Sequence, residues 1–356
     1  MRIGIDASAM LVRSAGVKNY VWNWSRALVE SDVDLYLYPF LRRDLSLNHE
    51  RSPLSALATT LRLGLLHAGH LLGSVVDWTA PACDVFHASN QMIHWPKRAK
   101  LTATLHDFTC WRLPELHTRG NIGADRNYAD HILRRADGLI AVSESTRRDA
   151  IELLGIRPER VTTILSGVDE RFFDAPPLVR KKPYALYVGT IEPRKNVETL
   201  LDAWNTLDAG LRETYDLVIA GPMGWASAET QHRVRTEAQY LGYVEEAELP
   251  ALTAGACVFV YPSLYEGFGF PVAQAMAAGV PVITSNVSSL PEVMGSGGIL
   301  VEPKSVAQLS TALIRLLEDS EHRRLLAKRA REEAERFHWS RCASDSVAFF
   351  ERTISF

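Results

Sequence analysis

The chain has 356 residues, with 39 Lys plus Arg against 42 Asp plus Glu, a formal charge of −3, and it is 47% hydrophobic and 23% charged. At roughly 150 residues per domain this length predicts two domains, each with its own core. The near-neutral balance argues against a nucleic-acid partner, which needs a clustered cationic excess. The ordinary apolar fraction, without a long like-charge block, excludes disorder.

The N-terminal MRIGIDAS enters a strand pattern at once, without the series of a signal peptide, and no run of about 18 apolar residues occurs. A cytoplasmic protein is therefore expected. Short β-branched or apolar runs then alternate with amphipathic stretches, the pattern of parallel sheets covered by helices, so the fold class is α/β. In the first half the predicted strands are Arg2 to Ala7, Val33 to Tyr38, Val85 to Ala88, Leu101 to Leu105, Gly138 to Val142 and Val161 to Leu165. Val17, Tyr20, Val21, Trp24 and Leu28 form one helical stripe, and Ser145 is the expected N-cap of a later helix. Residues 54–72 read as a core helix pair, with a membrane-surface patch as the alternative, because Arg62, His67 and His70 interrupt the leucines. Those two histidines have no third metal ligand beside them. Cys83, Cys110, Cys257 and Cys342 lie far apart and read as reduced and mostly buried.

Residues 174–183, with three prolines and the run Arg180-Lys-Lys182, form the expected linker between a domain at 1–173 and one at 184–338. In the second half the predicted strands are Tyr184 to Val188, Leu217 to Ala220, Cys257 to Tyr261, Val282 to Thr284 and Gly298 to Val301. Residues 306–338 read as two charged, solvated helices, and the apolar tail 339–356 as a segment packed on a surface. Doubly wound sheets place ligands beyond the carboxyl ends of their strands, so two such domains are expected to face a cleft.

Three strand ends carry chemistry. After Tyr261 the chain reads strand, loop, helix: Gly267 and Gly269 permit close backbone approach, Pro271 suits a first helical turn and Gly279 a left-handed C-cap. The helix start offers amides to an anion or sugar oxygens, with Glu266 as a neighbouring hydroxyl acceptor. After Val188, the loop from Gly189 holds Arg194 and Lys195, a fork and a point charge suited to a diphosphate. After Leu105, His106 and Asp107 sit side by side, able to hydrogen-bond sugar hydroxyls or orient a base. A fourth loop, Ser14-Ala-Gly16-Val17, brings amides towards a phosphate or is an ordinary connection. The absence of Gly-x-Gly-x-x-Gly here speaks against a nicotinamide-dependent oxidoreductase.

The set GTIEPRKN at 189–196, LGYV at 241–244, YPSLYEGFGFPVAQAMAAGVPVITS at 261–285, SSLPEV at 288–293 and HDF at 106–108 resembles the retaining family 4 glycosyltransferases of the GT-B fold, particularly the bacterial mannosyltransferase-like branch of surface polysaccharide synthesis. The resemblance implies two Rossmann-like domains, with the last helix returning to the N-terminal one. It implies transfer of a hexose, mannose from GDP-mannose above all, to a glycan or lipid-linked acceptor. No cofactor or metal is implied, the nucleoside diphosphate sugar being a co-substrate. Peripheral contact with the cytoplasmic face of the inner membrane is a further expectation.

By position, Glu266 holds a donor-sugar hydroxyl, and the backbone of Gly267, Phe268, Gly269, Phe270 and Pro271 contacts the same ring. Arg194 and Lys195 bind the diphosphate, helped by the Gly16 loop and by the loop from Gly189. His106 sits near the reacting sugar with Asp107 beside it, and the backbone of Tyr243 and Val244 lines the base. The family's second glutamate, eight residues after the first, is here Gln274. Glutamine keeps one acceptor oxygen for the ribose, so weaker donor binding is expected more than lost chemistry. The alternative is a non-catalytic, nucleotide-sugar-binding partner subunit.

Overall fold

The computed structural model describes residues 1–12, 16–41, 52–89 and 92–355, with the side chains of His70 and Ser74 outside that description. The described chain divides into two compact units, Met1–Gly167 with His338–Phe356, and Val168–Phe337. Each holds a six-stranded sheet.

In the first unit the strands are β1 (Arg2–Asp6), β2 (Asp34–Tyr38), β3 (Val85–Ala88), β4 (Lys100–Leu105), β5 (Gly138–Ala141) and β6 (Val161–Thr163), in the order β2-β1-β3-β4-β5-β6 and all parallel. β3 and β5 are buried along their whole length, as strands covered on both faces must be. The helix Gly16–Glu30 buries Tyr20, Val21, Trp24 and Leu28, four of the five stripe residues. Trp24 is fully buried, worth about 3 kcal/mol or more against truncation. Its Nε1–H donates to Ser346 Oγ at 3.0 Å, which fastens the helix Trp339–Ser355 into this unit. Phe356 lies outside the described residues.

Two expectations change here. The helix Glu144–Leu154 is capped by Ser143, whose Oγ accepts from the Thr146 N–H at 3.0 Å, because Ser143 has the extended backbone of a cap while Ser145 is already helical. Residues 54–72 are one helix, Ala56–Leu71, and not a core pair; Leu57, Leu61, Leu71 and Leu72 are exposed, and only the opposite face meets the sheet through Leu65 and Leu66. Of the cysteines, Cys110 and Cys342 are buried and Cys83 and Cys257 half-buried, all four free.

The second unit holds β7 (Tyr184–Val188), β8 (Asp216–Ala220), β9 (Gln239–Gly242), β10 (Val258–Tyr261), β11 (Val282–Ser285) and β12 (Gly298–Val301), ordered β12-β11-β10-β7-β8-β9. Strand β9 escaped the sequence reading. It is a half-exposed edge strand whose Gln239-Tyr-Leu-Gly carries no apolar run. The unit boundary falls at Gly167, ahead of the proline-rich segment, because that segment belongs to the second unit: Phe172 is buried there and the Leu178 N–H donates to the Ala251 carbonyl at 2.8 Å. In each sheet the chain runs outward from its first strand in both directions. The reversal lies between β1 and β3 in one sheet and between β7 and β10 in the other, and such switch points open a crevice at the carboxyl ends of the strands.

Candidate active site

The two most informative loops of the sequence leave adjacent strands at the second switch point. The loop after β7 forms a single 3-10 turn, Pro193–Lys195, followed by the helix Val197–Asn205; the loop after β10 runs into the helix Phe270–Ala277. They are stitched together by Leu264 N–H to the Arg194 carbonyl at 2.8 Å and by Asn196 Nδ2–H to the Pro262 carbonyl at 2.9 Å. Gly269, the N-cap of the second helix, has φ +98°, which a side chain would strain, and an added Cβ would meet Leu290. Gly279 adopts the left-handed conformation expected of it.

This stitching brings Arg194, Lys195 and Glu266 onto one point. Glu266 Oε1 accepts from Lys195 Nζ and from Ser263 Oγ, both at 2.6 Å, and lies 2.9 Å from Arg194 Nη1. Arg194 also reaches the Tyr265 carbonyl at 2.7 Å and Glu192 at 2.8 Å, and Lys195 donates to the Tyr261 hydroxyl at 2.6 Å. Two cations and two carboxylates thus balance in a buried cluster. Burial works to raise the Glu266 carboxyl, but Arg194, then Lys195 and Ser263, outweigh it and hold it at about 2. Burial and then Arg194 push Lys195 below the usual lysine range, with the carboxylates pulling the other way. The Glu266 backbone is fixed as well: its N–H donates to Ser288 Oγ at 2.9 Å, and Ser289 Oγ–H donates to the carbonyls of Glu266 and Phe268.

Glu192, Ser263, Tyr261, Ser288 and Ser289 all stand inside the quoted motifs, yet sequence reading assigned them no role. Their signal is proximity: Glu192 lies two residues from Arg194, and Ser263 three from Glu266.

The remaining residues of this unit fall around the cluster in different ways. Gly189 donates its N–H to the Ala220 carbonyl, and the next strand's Gly221, at φ +134°, passes so close that a Cβ there would overlap the Gly189 carbonyl. Tyr243 and Val244 follow β9, with Tyr243 exposed. Gly267 is buried, and the Phe268 ring packs edge-on against Phe270 and Phe337, so that Phe268 has only its backbone to offer a ligand. Pro271 carries no N–H, which removes it from the amide donors at this helix start. Gln274 is half-buried one turn into the same helix.

In the first unit, His106 follows β4 and sets its ring edge-on to Tyr20, 5.0 Å between centroids. Its ring is hydrogen-bonded to the Ser89 backbone, and Nε2 is buried without a partner among the described residues. Burial drives the imidazole down to about 4 against the pull of Asp107, so it is neutral at pH 7 with an open acceptor lone pair. Asp107 is occupied locally, its Oδ1 accepting from the Thr109 N–H and hydroxyl at 2.9 and 2.8 Å. Gly16 opens the helix one turn before Tyr20, and nothing lies within 4 Å of an added Cβ, so the fold does not require glycine there. Ser14 and Ala15 lie outside the described residues. His87, unremarked in the sequence, is fully buried beside Trp24, its nitrogens 2.9 and 2.8 Å from Thr102 and Thr104, and burial, then His106, push it down to about 3.

The chain resembles known proteins along most of its length. Residues 14–172 match the Glycosyltransferase Family 4 domain and residues 168–333 the glycosyl transferases group 1 domain. The chain is 34% identical over 279 residues to the O-antigen chain mannosyltransferase B of Escherichia coli, spanning 74% of this chain and 73% of that one. Among solved structures, sucrose-phosphate synthase from Thermosynechococcus elongatus superposes with a TM-score of 0.74 at 20% identity over 100% and 99% of the two chains. HepE from Anabaena, solved with UDP and glucose, gives 0.73 at 18% identity over 98% and 99%. The strand order, the two loops fused at the switch point and these matches together make the chain a member of the family 4 glycosyltransferases, with the GT-B fold.

Proposed function

We propose that this glycosyltransferase is a retaining, metal-independent mannosyltransferase that uses GDP-mannose and builds a surface polysaccharide on a glycan or lipid-linked acceptor. The observation that carries the reading is the buried Arg194, Lys195 and Glu266 cluster at the second switch point; the choice of mannose draws on the similarity to a mannosyltransferase. Arg194 and Lys195 bind the diphosphate and stabilise the charge that builds on it as the glycosidic bond breaks, an electrostatic contribution that needs no nucleophile. Glu266, ionised at any working pH, accepts a hydrogen bond from a sugar hydroxyl. The acceptor oxygen attacks the face from which the diphosphate departs, and the diphosphate takes its proton. Neutral His106 offers Nε2 to a sugar hydroxyl. The exposed Leu71, Leu72 and Trp78 support peripheral contact with the cytoplasmic face of the inner membrane.

Purified protein given radiolabelled GDP-mannose and an acceptor glycan is expected to transfer mannose with retained configuration in the presence of excess chelator, and to do so roughly tenfold more slowly as His106→Ala. Preference for UDP-glucose would overturn the donor, loss of activity with chelator the metal-free mechanism, and tight binding without consumption the enzyme itself.

A further inference from the structure

The switch point of the first unit holds a cavity of about 310 Å³. Ser8, after β1, and Met92 and His94, after β3, line it together with Val76 and with Leu63 and Leu66 of the helix Ala56–Leu71. The Asp6 carboxylate joins the two loops, accepting from the N–H groups of Ser8 and Met92. The volume lies at the small end of ligand pockets, which run from roughly 300 to 1,000 Å³ and combine apolar walls with a few polar groups. One polar group stands out. Ser8 is completely buried, and its Oγ has no hydrogen-bond partner among the described residues. A buried hydroxyl in that state is unfavourable, and a ligand oxygen that accepts from it relieves the cost. From the rim, where Leu63 is 38% exposed, the helix continues outward with exposed Leu57 and Leu61 and no charged residue but Arg62. His106 lies on the same carboxyl edge two strands away, roughly 10 Å at the usual spacing.

We propose that this cavity seats the apolar aglycone of the acceptor, an alkyl or isoprenoid chain, with Ser8 donating to the oxygen that links chain to sugar. The inference deepens the glycosyltransferase reading by naming the acceptor class, and it rests on that reading. The walls are mostly aliphatic, with Tyr38, His67 and His94 as further polar members, and Ser8 is the completely buried hydroxyl left without a partner among the described residues; that combination suits a chain ending in an oxygen. A chain entering at Leu63 leaves its sugar on the edge that carries His106.

Calorimetry of the full chain with methyl and octyl α-mannoside, the latter below its micelle concentration, tests this directly. Each buried methylene is worth roughly a fourfold gain in affinity, so the octyl glycoside is expected to bind at least about tenfold tighter than the methyl one. Leu66→Trp, and independently the more exposed Leu63→Trp, fill the cavity and are expected to erase that gain, while Leu57→Ser on the outer face of the same helix keeps it. Equal binding of the two glycosides by the parent protein, survival of the gain in both Trp variants, or its loss in Leu57→Ser would each overturn the proposal. A thermal-shift measurement with GDP on the same samples reads the second unit separately. Its failure strikes the donor reading and leaves the glycoside comparison to be judged by itself.

Discussion

The two sheets reverse strand order in the same way, and the crevices that result have opposite chemistry. At the β7/β10 switch point two cations and two carboxylates are packed together and mutually compensated. At the β1/β3 switch point the lining is mostly aliphatic, with Ser8, Tyr38, His67 and His94 as its polar members and no carboxylate or Lys/Arg among them, and His106 nearby is held neutral. One architecture thus presents a charged cradle in one copy and an uncharged one in the other. The difference teaches that topology places a crevice and loop side chains decide its chemistry: paired cations and carboxylates in the first, a mostly aliphatic wall with a few neutral polar groups in the second.

The comparison breaks most readily at Arg194. Arg194→Ala leaves Glu192 and Glu266 buried beside a single cation, so we expect a loss of about 3–5 kcal/mol in unfolding experiments. A fall of roughly 10²–10³-fold in transfer should accompany it. Arg194→Lys should recover stability better than activity, since a point charge cannot reproduce the fork; equal recovery of both would mean the cluster is only structural.

Acid separates the two units next. His87, held near 3, stays neutral in the fold while the unfolded chain takes its proton near 6.5. Its stabilisation is therefore complete above pH 6.5 and is lost as pH falls from there towards 3. Glu266, held near 2, contributes stability that is complete above the ordinary carboxylate range and is lost only as pH falls from about 4.5 towards 2. Melting curves should accordingly decline first between pH 6.5 and 4.5. His106, held at about 4, adds to the same decline, so His87→Asn should lower the melting temperature at pH 7 and flatten only part of it, and an unchanged slope would show that His87 does not titrate on unfolding.

Gln274→Glu sharpens the donor side. A charged acceptor in place of a neutral one strengthens a hydrogen bond by about 1 kcal/mol, so GDP-mannose should bind about fivefold tighter, with no change in stability. Weaker binding would remove the ribose from this position. The smallest effect is expected at Ser143, where Ser143→Ala removes an N-cap and should cost about 1 kcal/mol in denaturant unfolding, while Ser145→Ala should cost less.

Much of this was legible beforehand, and the misses have causes. Strands announce themselves as apolar runs, and the edge strand β12 keeps its Ile-Leu-Val although it is half-exposed; β9 went unseen because Gln239-Tyr-Leu-Gly has no such run. The cap at Ser143 was misplaced by two residues because two serines compete for it and only backbone conformation separates them. The leucines of 54–72 read as core because leucine spacing records a helical face without saying whether anything covers it.

By itself the sequence determined the α/β class, every described strand but β9, the charged loops after β7 and β10 and the family to which their motifs belong, because these are local patterns of period and spacing. Only the tertiary structure decided that Glu266 answers both Arg194 and Lys195, that Asp107 serves its own turn, that His87 is buried neutral and that Ser8 lines a cavity at the first switch point. Each of those depends on which distant segments meet, and a contact between residues 71 positions apart, as between Lys195 and Glu266, leaves no mark in local composition.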